Sequence, residues 1–265
     1  LFGITSPSGK LAESIPYRET DVPSYGFFGK QGGQRQHLDD VEYRESIFVG
    51  YRYYETFGIP VRYCFGYGLS YTHFVYSDLQ VQKNTDQTIR IRFTVENTGA
   101  FAGSEISEVY VKNPDSDAFR ANKELRGFAK TFLNPGEKKV VEVRITERAF
   151  SVYQNGAFQV IGGEYEIQIG ASLQDIRLSE KIDIAGGKMS SPLKKSVGVP
   201  LSEKAFSIIY DYPHTHFSNT KPGEFTAKNS LMQMQPYSKR ARRWSRIGKI
   251  FARLLYFPKS AKDPE

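Results

Sequence analysis

The chain has 265 residues, of which 39% are hydrophobic and 25% charged, enough to bury one or two cores and too few apolar residues in a row to cross a bilayer. The formal charge of +7 is local: seven Lys and Arg and no Asp or Glu lie between Tyr237 and Tyr256. Removing those seven from the 36 basic residues leaves 29, equal to the 29 acidic ones, so the body is neutral and its charge argues for no polyanionic partner.

Aromatic residues reach 14%, with 17 Tyr and 19 Phe against one Trp. Such Tyr- and Gly-rich chains are commonly β proteins, although carbohydrate-facing surfaces use the same side chains. Cys64 is alone, so no intrachain disulfide forms. That tilts the expectation toward a reducing cytosol and agrees with secretion almost as well. The chain begins at Leu1 without a Met, and no signal peptide is expected in it.

Residues 1–70 do not read as a self-contained domain. Residues 17–40 are polar, with glycines at 26, 29, 32 and 33 and no apolar period. A loop of that length predicts packing against another surface. From Tyr71 the period changes to two. Ile89, Ile91, Phe93 and Val95 alternate with Arg90, Arg92, Thr94 and Glu96, as on a half-buried strand. The pattern recurs at Val141, Val143 and Ile145, and at Tyr165, Ile167 and Ile169. Less regular runs at 73–82, 106–112, 125–133 and 175–185 complete about seven strands. Turn residues separate them at Asn97-Thr-Gly99, Asn113-Pro-Asp115, Asn134-Pro-Gly136 and Gly162-Gly163.

The fold class expected is mainly β: an antiparallel, immunoglobulin-like sandwich over residues 71–186, preceded by a partial α/β segment at 1–70. A linker is expected over 187–236, with Phe206, Ile208, Ile209 and Tyr210 as its one apolar cluster. A basic amphipathic helix is expected over 237–257, since Tyr237, Ala241, Trp244, Gly248, Phe251 and Leu255 recur at three- and four-residue steps.

Several stretches carry a family resemblance. Glu42-Tyr-Arg-Glu-Ser-Ile-Phe-Val-Gly-Tyr-Arg-Tyr-Tyr-Glu55 and Phe65-Gly-Tyr-Gly-Leu-Ser-Tyr-Thr-His-Phe74 resemble the segments joining the second and third domains of family 3 glycoside hydrolases. The first departs from the usual pattern by having Ser46 in place of a Gly, and Arg62-Tyr-Cys64 replaces the commoner lead-in to the second. Val95-Glu-Asn-Thr-Gly99, Glu124-Leu-Arg-Gly-Phe128, Leu133-Asn-Pro-Gly-Glu-Lys138, Gly170-Ala-Ser172 and Asp175-Ile-Arg-Leu178 are similar to words of the fibronectin type III-like domain of these enzymes.

The resemblance implies retaining hydrolysis of terminal β-glycosides, with an Asp nucleophile and a Glu acid/base about 5 Å apart. In the family neither residue falls in the segment matched, so no catalytic residue is expected here. It also implies a chain that is inactive alone and serves as scaffold, with the barrel domain of the same enzyme as partner. The alternatives are a non-catalytic β-sandwich module that binds glycan or protein, and a surface-binding protein that uses the basic C-terminal helix.

Arg35 and His37 are candidate residues at the edge of a substrate cleft. Asp39, Asp40, Glu42 and Glu45 form an acidic group whose simplest reading is a solvated or ion-paired loop, with Glu45 and Arg52 as a structural pair. His214-Thr-His216 lacks further ligands at metal-binding spacing, and Gly66 and Gly68 lack the Lys-Ser/Thr of a phosphate loop. No metal or cofactor is expected. For the basic helix, docking on another part of the enzyme is favoured over an anionic membrane surface, and nucleic acid is not expected as a partner.

Overall fold

The computed structural model describes residues 3, 5–25, 30–31, 34–35, 43–84, 88–113, 118–191, 193–210, 234 and 238–256. They fall into two units, residues 1–212 and 213–265, taken separately below.

The first unit is built on two antiparallel sheets. One orders β5 (Phe74–Lys83), β6 (Ile89–Asn97) and β9 (Lys138–Ile145). The other orders β13 (Ile176–Ile184), β12 (Gly163–Gly170), β7 (Gly103–Lys112) and β8 (Lys123–Leu133). The seven expected strands are these seven. The alternating residues of β6 supply the central layer: Ile89, Ile91, Phe93 and Val95 are all buried. They sit beside Val141 and Val143 of the neighbouring β9 and meet Val109, Val111, Tyr165, Ile167 and Ile169 across the sandwich. Removal of each such side chain from water stabilises the fold by roughly 1.5–3 kcal/mol.

Strand alternation left one hairpin unread. β10 (Ser151–Gln154) and β11 (Ala157–Val160) pair in register around Asn155-Gly156. Both turn residues have positive φ, 53° and 79°, the conformation of a two-residue turn that Asn-Gly favours because Asn tolerates it and Gly adopts it freely.

The segment before the sandwich is an arm of short pieces. β1 (Ile15–Pro16) pairs with β4 (Val61–Tyr63), β2 (Lys30–Gln31) with β3 (Gln34–Arg35), and α1 spans Tyr51–Thr56. The residues after the sandwich depart from the expected linker. Residues 187–210 carry α2 (Glu203–Tyr210), and Leu193, Leu201, Ala205 and Phe206 join Phe48 and Phe119 in a second core. Too few apolar residues stand together here to show a period, yet they suffice to cover one Phe of the arm. The second unit contains α3 (Lys239–Tyr256).

Candidate functional site

In an antiparallel sandwich the outer face of a sheet ordinarily meets water. Here the arm covers part of the outer face of the four-stranded sheet. Tyr51, Cys64, Tyr110 and Leu173 form a third buried cluster, with Val61, Phe65 and Leu125 packed beside it. The Tyr51 ring lies 4.7 Å from Phe65 and 6.5 Å from Tyr110. The backbone N–H of Leu125 donates to Tyr51 Oη (2.9 Å), and that of Asn122 donates to Thr56 Oγ1 (3.1 Å). Helix α1 thereby caps part of the β8 backbone.

Charged groups fill the rest of this joint. Glu124, beside α1, receives Arg52 at 3.6 Å, Arg120 at 3.1 Å and Arg126 at 2.7 Å. Arg52 is thus committed to Glu124 rather than to Glu45, its expected partner; Glu45 is itself buried. Lys123 Nζ donates to the Leu173 carbonyl (2.8 Å) and lies 5.6 Å from the Tyr110 ring centroid. Burial pulls the Lys123 pKa down while Glu55 opposes the shift, and burial pushes Glu55 up while Lys123 opposes it. Each charge thus partly offsets the burial that disfavours the other.

Beneath Gly66, Tyr110 Oη donates to Glu108 Oε2 (2.6 Å). Burial raises the Glu108 carboxyl above its ordinary range, partly countered by the Tyr110 hydroxyl. A Cβ on Gly66 would sit 2.3 Å from that oxygen, and its φ is +78°. Only Gly fits a backbone that both turns left and approaches a carboxylate so closely.

At one end of the sandwich Lys10 enters from the arm. Its Nζ donates to the Ala171 carbonyl (2.7 Å) and pairs with Glu105 (3.4 Å). Tyr76 Oη donates to the same Glu105 oxygen at 2.8 Å. Burial, then the Glu105 charge, push the Tyr76 hydroxyl far up. Cys64 is buried, with its Sγ 3.5 Å from Ser172 Oγ, as packing predicts for a lone thiol. Asn97 is wholly buried. Its Oδ1 accepts from Thr72 Oγ1 (2.5 Å) and the Gly99 N–H (3.1 Å), and its Nδ2 donates to the carbonyls of Phe101 (2.8 Å) and Leu133 (3.0 Å).

The arm also leaves large apolar side chains in water. Tyr17, Tyr43, Ile47, Val49, Leu69 and Tyr71 are all exposed, Leu69, Tyr17 and Tyr43 by more than 60%. Ser46, the departure noted in the sequence, has φ +53°, the conformation in which the usual Gly carries no steric cost.

Of the candidate cleft residues, Arg35 lies on β3, opposite Lys30, and His37 lies outside the described residues. So do Asp39, Asp40 and Glu42, and the pair His214 and His216. Among the described residues no group of three or more His, Cys, Asp or Glu is placed to hold a metal ion. Sequence reasoning missed the joint itself. Its signal was present as Lys123, Glu108 and Glu105, charged residues inside strand runs.

The fibronectin type III-like domain family matches residues 105–173. Thermostable beta-glucosidase B of Acetivibrio thermocellus is 46% identical over 189 residues, 69% of this chain and 24% of that protein. An exo-alpha-(1->6)-L-arabinopyranosidase of Bifidobacterium longum is 40% identical over 196 residues, 73% of this chain and 25% of that protein.

Among solved structures, beta-glucosidase 3B from Thermotoga neapolitana in complex with glucose has a TM-score of 0.61 at 42% identity, covering 69% of this chain and 26% of that one. A GH3 beta-glucosidase of Bifidobacterium adolescentis has a TM-score of 0.64 at 28% identity, covering 92% of this chain and 31% of that one. The chain spans about a quarter of the length of the curated relatives it matches. Sandwich and shared words together make this chain a segment of a family 3 glycoside hydrolase that includes its fibronectin type III-like domain.

Proposed function

We propose that this chain is the non-catalytic part of a retaining β-glucosidase-like enzyme. In this reading residues 71–186 are a scaffold, and residues 1–70 are the end of the α/β-sandwich domain. The barrel domain of the same enzyme is the partner, and the chain hydrolyses nothing alone. The observation that carries the reading is the arm: ion pairs fix it to the sandwich, while its Tyr17, Tyr43, Ile47, Val49, Leu69 and Tyr71 stay exposed. So many exposed large apolar side chains on one short segment point to an interface.

Three of the joint's carboxylates support the same view, since they already have structural partners. Glu105 holds Lys10 and Tyr76, Glu108 holds Tyr110, and Glu124 holds three arginines. A glycosidase acid or nucleophile instead needs a carboxyl facing an open sugar site.

The test is hydrolysis of aryl β-glucoside, β-xyloside and α-L-arabinopyranoside by the chain alone and mixed with a separately expressed barrel and α/β-sandwich fragment. The arabinopyranoside is included because the Bifidobacterium longum relative bears that activity in its name. Turnover is expected only on mixing, and Tyr43→Asp with Leu69→Asp is expected to abolish the gain. Turnover by the chain alone, lost in Asp39→Asn, Asp40→Asn or Glu45→Gln, would overturn the proposal.

A further inference from the structure

Helix α3 carries seven Lys and Arg and no Asp or Glu in 18 residues. Lys239, Arg242, Arg243 and Arg246 stand at steps of three, one and three, so they form a single stripe along the helix. Together with Ile247 they line one shallow surface depression. Among the described side chains of the helix, the buried members are small, Ala241 and Ser245, one turn apart. The described large ones face water: Trp244 is 64% exposed, Ile250 58% and Ile247 37%. No described helix is long and apolar enough to cross a membrane.

A Trp and an Ile beside a row of cations match the chemistry of one kind of surface. The interface of an anionic bilayer offers phosphates for the guanidinium groups and an acyl boundary for the indole and the branched side chain, both at once along a helix lying in the plane. A nucleic acid would use the cations and leave Ile247 in water. A protein face complementary to four cations would have to be acidic and apolar together. We infer that α3 is an interfacial helix that attaches the protein to anionic lipid bilayers, with Trp244 and Ile247 inserted and the Lys239–Arg246 stripe on the headgroups. The inference is independent of the catalytic reading.

Trp244 is the sole Trp of the chain, so its fluorescence reports the helix without labelling. The full chain is titrated with phosphatidylcholine vesicles with and without phosphatidylglycerol. The expected result is a blue shift of Trp emission and co-sedimentation with the anionic vesicles only, both reversed by salt. Each cation near an anionic surface contributes on the order of fivefold in partitioning, so Arg243→Glu with Arg246→Glu is expected to weaken it at least ~30-fold. Both positions are exposed, and an unchanged circular dichroism spectrum confirms that the double variant is folded.

Absence of binding to anionic vesicles would overturn the inference. So would binding with an unshifted Trp emission, or equal binding of duplex DNA that survives Trp244→Ala.

Discussion

The Asn97 side chain makes four hydrogen bonds in a site closed to water, which makes it the sharpest place to test the reading of the fold. Asn97→Ala removes all four and leaves the carbonyls of Phe101 and Leu133, the Gly99 N–H and the Thr72 hydroxyl without this partner. At about 1 kcal/mol net per bond, with part of the desolvation cost of the orphaned groups added, the loss is about 3–5 kcal/mol. That is a large share of the ~5–15 kcal/mol by which single domains are stable.

Asn97→Asp separates hydrogen bonding from volume. The carboxyl keeps the shape but, once ionised, directs negative charge at two carbonyl oxygens. Its pKa in the folded state then lies above the unfolded value, so the native state binds more protons and stability falls as pH rises from about 4. Urea unfolding followed by circular dichroism from pH 3.5 to pH 8, as a range on the order of the carboxyl titration, reads both effects. A loss below about 1 kcal/mol in Asn97→Ala, or no pH slope added by Asn97→Asp, would refute the reading that these bonds tie the two sheets together at one end of the sandwich.

Gly66→Ala places a Cβ 2.3 Å from Glu108 Oε2 at φ +78°; the clash and the strain together are expected to cost about 2–4 kcal/mol, read as a fall in the urea midpoint. Glu108→Gln keeps an acceptor for Tyr110. Because burial raises the Glu108 pKa, its contribution in the wild type is fully present below the unfolded value and is lost as pH rises through the folded one. The variant is therefore expected to flatten the fall in stability with rising pH, and a steeper fall would contradict the assignment. Phe48 is fully buried between Phe57 and Phe119, each ring 5.0 Å away, and Phe48→Ala is expected to lower stability by about 3–5 kcal/mol in the same titration.

The sandwich was legible because its apolar residues alternate strictly where they face the core. Ile89 through Val95 declare both the strand and its inner face. The hairpin at 151–160 was equally legible, since Asn155-Gly156 between alternating residues is a strong local signal that strand-length runs obscured. The joint was only half legible. Tyr51-Arg-Tyr-Tyr and Phe65-Gly-Tyr-Gly are recognisable as words, but a word does not name the residue it touches.

Arg52 meets Glu124, Gly66 meets Glu108 and Cys64 meets Ser172 across separations that no periodicity encodes. Arg52 offers the same charge to Glu45 and to Glu124, so its choice is settled only once the sheet places β8 beside α1. The helix α2 was hidden because its stability comes from Phe48 and Phe119, distant in sequence, rather than from its own eight residues.

The anchoring of Lys10 has a consequence for how the chain is made. Its two partners lie 95 and 161 residues further along. At about 5–20 residues per second, roughly 8–30 s of synthesis separate the appearance of Lys10 from that of the Ala171 carbonyl it binds. During that interval the arm's inner face has no sheet to cover, and its aromatic residues stand open to whatever is nearby. The arm is synthesised well before the sheet that secures it, so its vulnerability to misassembly is a matter of timing rather than of final strength.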